Sequence, residues 1–153
     1  MKKRISLFIT IVIVSVTMLT ACTTNAEKSV TYSVDTGDSV KITIDTKSGF
    51  DITMDVPFTV SKGDTDIFTG SFIYAEYYDV YRQVVEEGSD AVLLDEGSKD
   101  GNDYFCYSFE GNAGTEYDYF ILIKDSNTAI AMASLIGEKE ASEAFKAMTI
   151  SLN

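Results

Sequence analysis

Apolar and polar residues alternate with a period of two through the first part of the chain that follows residue 29. The apolar positions that share a face are Val30, Tyr32 and Val34, then Val40, Ile42 and Ile44, then Phe50, Ile52, Met54 and Val56. This alternation is typical of half-buried β-strands, and turn-forming residues separate the segments at 35–38 and 46–49. We predict three strands in antiparallel succession, followed by a hairpin that pairs 58–61 with 67–73.

The period changes to that of a helix at Tyr74. The apolar side chains recur at i, i+3, i+4, i+7, i+10 and i+11 and are Tyr74, Tyr77, Tyr78, Tyr81, Val84 and Val85. The opposite side is polar, so we predict an amphipathic helix that ends at Gly88. The four tyrosines suggest an aromatic platform for carbohydrate. Packing of their rings on a sheet, with the hydroxyls at its rim, is the commoner arrangement and is our prediction.

The remaining residues predict four strands and a second helix. The strands are Ala91–Asp95, Tyr104–Glu110, Tyr117–Asp125 and Thr128–Ile136. Ala129, Ala131 and Ala133 share one face of the last strand, which leaves room for a helix to approach closely. The following helix, with apolar residues from Ala141 to Met148 at i, i+3, i+4 and i+7, fits that space.

These elements indicate an α+β fold, an antiparallel β-sheet with two amphipathic helices packed on it. No βαβ rhythm with glycine-rich phosphate turns is present. Residues 1–21 form a separate N-terminal segment. Residues 22–29 are a short polar tether without apolar periodicity, and 30–153 form one domain.

The N-terminal segment has the layout of an export signal. Lys2, Lys3 and Arg4 precede an uncharged, largely apolar run from Ile5 to Ala21. Its 17 residues lie at the bottom of the range that spans a bilayer, so a single-pass anchor is the alternative. Leu19-Thr20-Ala21-Cys22 at the end of the run resembles the lipobox of bacterial lipoproteins.

The lipoprotein resemblance implies a processed and lipidated chain. A signal peptidase would cut between Ala21 and Cys22, and the Cys22 thiol would carry a diacylglyceryl group. The mature chain would have 132 residues (153 − 21) and a net charge of −15 (9 − 24). It would be attached by its lipid to the extracytoplasmic side of the cell membrane or envelope.

A second resemblance concerns the domain itself. From 58 to 152 the order of elements is similar to that of the PsbP-like superfamily, in which a helix precedes a run of antiparallel strands and a helix closes the fold. The sequence TAIAMASLIGEKEASEAFKAMTISL at the end carries this resemblance. No residue motif is shared, so it implies no ligand and no catalytic residue.

Composition excludes several function classes. The chain has 12 Lys and Arg against 24 Asp and Glu, a net charge of −12, which argues against nucleic acid as a partner. It has no His, which removes the commonest general base and every metal site that uses imidazole. Two Cys exclude a multi-disulfide framework. We therefore predict no cofactor, no metal ligand and no catalytic residue.

Three features remain as candidates for chemistry. The acidic loop 95–103 is rich in the oxygen ligands that Ca²⁺ prefers, but its spacing does not fit an EF-hand, and a solvated hairpin turn is our interpretation. Cys106 is predicted to be a small buried apolar residue. Aromatic residues between Tyr104 and Phe120 occupy both faces of two neighbouring strands. One sheet face is therefore either open as a binding surface or covered by the N-terminal strands.

These observations lead to a functional hypothesis. The chain is a membrane-anchored, extracytoplasmic domain that binds an envelope protein or a small ligand and performs no catalysis. The alternative is a hydrolase of envelope or extracellular glycans that uses a pair of carboxylates. Convergence of several acidic side chains in a concave pocket would favour the alternative or a cation site. A flat aromatic face would favour a partner.

Overall fold

A computed structural model describes residues 26–88 and 90–153 of the chain. The strands are β1 (Glu27–Ser33), β2 (Ser39–Asp45), β3 (Phe50–Ile52), β4 (Phe58–Lys62), β5 (Thr65–Tyr74), β6 (Ala91–Lys99), β7 (Asn102–Gly111), β8 (Gly114–Leu122), β9 (Thr128–Ser134) and β10 (Met148–Leu152). The helices are α1 (Glu76–Glu87) and α2 (Glu138–Ala147). Antiparallel strands dominate and two helices accompany them, as expected of the α+β class. The export signal, the Leu19–Cys22 motif and Cys22 lie outside the described residues.

The strands form two sheets, so the prediction of one sheet is wrong. The order is β1-β2-β10 in the small sheet and β3-β4-β5-β9-β8-β7-β6 in the large one, and all pairs are antiparallel. The third predicted strand leaves the first two and pairs with β4. The sequence analysis assigns Met148 to the second helix and predicts no strand after it, whereas Met148–Leu152 form β10, which pairs with β2. Alternation predicts strands but not the long-range pairing that joins them.

Several boundaries differ from the sequence prediction: β6 extends to Lys99, β8 is Gly114–Leu122, β9 ends at Ser134, and Tyr74 ends β5 instead of beginning α1. Two further differences change which residues belong to the sheets. β1 begins at Glu27, so residues 27–29, assigned to the tether, belong to the sheet. There Lys28 Nζ contacts Asp51 Oδ1 at 2.6 Å and Ser29 Oγ contacts Thr43 Oγ1 at 2.7 Å, which gives these polar residues partners. At the other boundary β3 ends at Ile52 rather than Val56, and Met54 and Val56 are exposed. All elements lie between Glu27 and Leu152, so a chain that begins at residue 24 retains the whole folded unit.

The main core lies between the small sheet, α2 and one face of the large sheet. Val40, Ile42 and Ile44 of the central strand β2 are completely buried, because β2 has a neighbour on each side and the large sheet beneath it. Burying side chains of this size contributes about 1.5–3 kcal/mol each. α2 adds Ala141, Ala144 and Phe145 to the same core. This face of the large sheet is therefore covered.

α1 packs on the opposite face of the large sheet. The ring of Tyr78 meets the ring of Phe105 at a centroid distance of 5.0 Å, and Val85 is buried in the same cluster. Ala129 and Ala131 of β9 also belong to this cluster. The prediction that the alanine face of β9 accommodates the C-terminal helix is therefore wrong. The alanines face the side of α1, while Ile130 and Met132 of β9 share the core with α2.

Candidate functional site

The solvent side of α1 carries a continuous apolar stripe. Tyr77, Val80, Tyr81 and Val84 lie at i, i+3, i+4 and i+7, and their exposed fractions are 46%, 53%, 42% and 61%. Only Tyr78 and Val85 of this helix are buried. The prediction that the tyrosine series packs on the sheet is right for Tyr78 and for one side of Tyr81, whose ring contacts Phe120. It is wrong for Tyr77, and Tyr74 belongs to β5 rather than to the helix. The apolar sector of α1 is wide: one edge of it lies in the core and the rest lies in solvent.

Three contacts fix the direction in which this stripe points. Arg82 forms an ion pair with Glu96 of β6, Tyr78 packs on Phe105 of β7, and Tyr81 packs on Phe120 of β8 at 4.5 Å between ring centroids. Around the helix surface, the positions of Arg82, Tyr78 and Tyr81 are followed by those of Tyr77, Val84 and Val80. The stripe therefore lies on the side of α1 that is turned away from β6 and towards β9 and β5.

The sheet beside the stripe is lined by small side chains. The strand register places Thr69, Ala133 and Asp118 in one row across β5, β9 and β8, and Ser71 lies opposite Ala131 in the next row. Thr69 is exposed, and Ser71, Ala131 and Ala133 are half-buried. We call the corner between this part of the sheet and the stripe the trough. Its wall is the stripe, and its floor consists of Thr69, Ser71, Ala131, Ala133 and Asp118.

Asp118 is the unusual member of the floor. It is 9% exposed, and its Oδ1 atom is fully buried without a hydrogen-bond partner among the described residues. Burial raises the pKa of Asp118 to about 7; a hydrogen bond with Tyr107 lowers it, and Glu116 raises it further. A buried carboxyl without a full set of partners is costly, and such groups cluster at functional sites.

Sequence analysis did not single out Asp118, although the sequence contains a signal for it. Asp118 stands two residues before Phe120 and four before Leu122, so the period of two places it on an apolar face. A carboxyl on the same strand face as buried aromatic residues is costly to bury, so its presence there is a signal of function. Its neighbour Tyr107 lies directly opposite on β7, and burial also raises the pKa of that phenol well above its usual range.

Acidic side chains also line a cavity at the start of α1. It has a volume of about 690 Å³, and Glu76, Asp79, Asp103 and Asp125 contribute to its wall together with Lys124. Several acids therefore share a concave surface. Across residues 26–88 and 90–153, however, no three Asp, Glu or Cys side chains are placed to hold one metal ion. The carboxylates surround the cavity without meeting at a point.

The acidic loop 95–103 is a hairpin, as predicted. β6 extends to Lys99 and β7 begins at Asn102, so the turn is Asp100-Gly101, and both of its residues have positive φ, 56° and 84°. Asn102 is buried and structural: its Nδ2 donates to Ile150 O at 2.8 Å, and its Oδ1 accepts from Lys124 N. One of the oxygen ligands proposed for Ca²⁺ therefore joins the two sheets instead.

Cys106 is buried at 2% exposure, as predicted, and burial raises the pKa of its thiol to about 12. The aromatic residues of β7 and β8 do not form an open face. Those on one side lie under α1, and those on the other share the main core. Among the described residues, the solvent-exposed tyrosines are Tyr74, just before α1, and Tyr77 and Tyr81 on it.

Negative charge is greater in the part of the chain that carries α1 and β6 to β9 than in the part that precedes it. Residues 74–134 contain 13 acidic and three basic side chains, a net charge of −10 (3 − 13). Residues 26–73 contain eight acidic and four basic ones, a net charge of −4 (4 − 8). Arg82, the one basic residue of α1, is already paired with Glu86 at 2.9 Å and with Glu96. Both parts of the chain are therefore acidic, and the part that carries α1 is the more acidic of the two.

Comparison of the chain with family models and with curated proteins finds no match to either. The lipoprotein and PsbP-like resemblances therefore stay predictions from the sequence. Within the part of the chain that the structure describes, neither helix is long and apolar enough to cross a membrane.

Proposed function

We propose that this chain is a lipid-anchored, extracytoplasmic bacterial lipoprotein whose folded domain binds a partner protein and performs no catalysis. The anchor rests on the basic start, the uncharged run to Ala21 and the Cys22 that follows it. The lipid would supply the membrane affinity, because two acyl chains give stable attachment and the acidic body is repelled by anionic headgroups. The domain would project from the membrane surface on the short tether.

The apolar stripe of α1 is the observation that carries the binding function. Single exposed apolar residues are normal, but four on one helical face form a continuous patch. A helix that keeps a large apolar surface in water commonly uses it to bind another element. Tyr77 and Tyr81 add rigid aromatic area, which is enriched in protein interfaces.

Replacement of Cys22 tests the anchor. We expect Cys22→Ala to accumulate as an unprocessed precursor, while the wild-type chain is cleaved and enters the detergent phase of a cloud-point extraction. Cys106→Ala is the matched control, because it removes the other thiol and should leave processing unchanged. Normal cleavage and release of the Cys22→Ala chain would contradict the lipoprotein proposal.

Site-specific crosslinking in cells tests the binding surface. A photoreactive phenylalanine analogue at Val80 of the full-length chain should crosslink to a discrete partner, and Val84→Lys should abolish that product. The same analogue at Leu135, an exposed apolar residue outside the stripe, serves as the control. Equal crosslinking from both positions would show that the stripe is not a specific surface.

A carboxylate-dependent glycan hydrolase is the second candidate function, and Asp118 is the observation that favours it. A carboxyl with a raised pKa next to a second carboxyl, here Glu116, is the pairing that acid catalysis uses. Hydrolysis of envelope glycans that disappears in Asp118→Asn, with the fold intact by circular dichroism, would establish this function. Unchanged glycan after prolonged incubation with the wild-type domain would remove it.

A further inference from the structure

The partner that fits the trough can be specified by its shape and charge. The trough is bounded by a helical stripe on one side and floored by small side chains, so its base lies close to the backbone of β5 and β9. A helix seated there would pack its side chains against Tyr81 and Val84 and extend the layer that α1 begins. The alanine face of β9 gives the close approach that such packing needs.

The charge of the surroundings restricts the partner further. The stripe is flanked on α1 by Glu76 and Glu87, and Arg82, the one basic residue of the helix, is paired with Glu86 and Glu96. Complementary potentials favour a basic partner and oppose an acidic one. An amphipathic helix with lysine or arginine beside its apolar face would pack its apolar side chains on the stripe. Its basic side chains would lie next to the acidic residues that flank the stripe.

Asp118 supplies an independent sign of a cationic ligand. It lies in the same row of the sheet as Ala133, and its Oδ1 atom is buried without a partner among the described residues. A donor from a partner would have to reach it past the small side chains of this row. A guanidinium or ammonium group has the donors that this oxygen lacks. The cost of holding the carboxyl in the floor would be offset when such a donor arrives.

We infer that the trough binds a basic amphipathic helix of a partner protein, with one Lys or Arg side chain reaching Asp118. This inference rests on the proposed binding function and adds the chemistry of the partner. The apolar face of the helix would meet Tyr77, Val80, Tyr81 and Val84. One basic residue near the centre of the partner helix would contact Asp118 beside Ala133. The other basic residues would lie near Glu76 and Glu87.

A model helix tests this inference directly. The probe is a labelled amphipathic peptide of about 18 residues composed of leucine and lysine, with leucines at i, i+3, i+4 and i+7. The protein is the chain from residue 24 onward, which contains the complete folded unit. We expect saturable one-to-one binding by fluorescence anisotropy, with amide shifts in NMR spectra confined to α1, β5, β8 and β9. A peptide with glutamate in place of lysine should bind at least tenfold more weakly.

Two matched pairs of variants separate the parts of the inference. Asp118→Asn should weaken binding of the leucine–lysine peptide at least tenfold, whereas Asp125→Asn, an exposed carboxyl on the turn after β8, should change it less than twofold. Val80→Ser with Val84→Ser should also weaken binding tenfold or more. Leu135→Ser with Ile136→Ser is the control for lost apolar surface.

The outcomes distinguish this inference from the proposed function. Loss of binding in the stripe variant but not in Asp118→Asn would overturn the inference and leave the stripe as a binding surface. Equal binding of the glutamate peptide would also overturn it. Absence of binding at 1 mM peptide (roughly the Kd of a −4 kcal/mol interaction) would overturn it as well, and the crosslinking experiment would then decide the proposed function alone.

Discussion

The two helices of this domain have similar lengths and similar amphipathic sequences, yet they bury very different shares of their apolar residues. α2 places Ala141, Ala144 and Phe145 in the main core, and Phe145, its one large apolar side chain, is buried. α1 buries Tyr78 and Val85 and leaves its stripe in solvent. The difference teaches that α2 uses its apolar surface for stability, whereas α1 leaves much of its apolar surface in solvent, where we propose that a partner binds.

The largest expected effect comes from the core side of α2. Phe145→Ala removes a buried ring that packs on Tyr104 and Tyr119, each at 4.8 Å between centroids. We expect a loss of about 3–5 kcal/mol in the free energy of unfolding, measured by urea denaturation. A loss below about 1 kcal/mol would show that α2 is as loosely held as the stripe of α1.

Asp118, in the floor of the trough, makes the free energy of unfolding depend on pH. The pKa of Asp118 is raised to about 7 in the folded state, from 3.8 in the unfolded chain. Between these values the unfolded carboxyl is ionised and the folded one is protonated, so stability falls as pH rises from about 4 to 7 and then levels off. The groups that face this carboxyl are Tyr107 of β7 and Glu116 of β8, with Tyr81 of α1 near the Tyr107 phenol.

Asp118→Asn should therefore be more stable than the wild type by roughly 2–4 kcal/mol at pH 8 and nearly equal to it at pH 4. Urea denaturation at each pH measures the difference, and Asp125→Asn is the control. A constant difference between the two pH values would show that the Asp118 carboxyl does not titrate as described. A gain in stability on removing this charge is expected of a group kept for binding.

The smallest effect is expected from the stripe. Val80→Ser with Val84→Ser should change the free energy of unfolding by less than about 0.5 kcal/mol, because both side chains already lie in water. The same pair should weaken binding of the leucine–lysine peptide at least tenfold. A large loss of stability would place these residues in the fold rather than on its binding surface.

Much of the local structure of this domain can be predicted from its sequence. Which strands pair over long distances, and which surfaces other elements bury, cannot. The strands β6 to β9 and both helices are predicted because alternation and helical spacing are local properties, as at Thr128–Ser134. The pairing of β10 with β2 is not predicted, because it joins residues far apart in the chain. The stripe is missed for a related reason: spacing indicates that Tyr77 is apolar-facing, but only the packed structure shows that nothing among the described residues lies over it.

The pairing of Met148 with Ile44 also governs when the domain can form. These two residues are 104 positions apart (148 − 44), so β2 gains its second neighbour only after nearly the whole chain is available. Chains with such distant contacts fold slowly compared with those built from local ones. A chain that emerges from its N-terminus first would hold Val40, Ile42 and Ile44 without their final cover until the last five strand residues arrive. The fold is therefore complete only when β10 has formed. Until then β1 and β2 are the strands most exposed to aggregation.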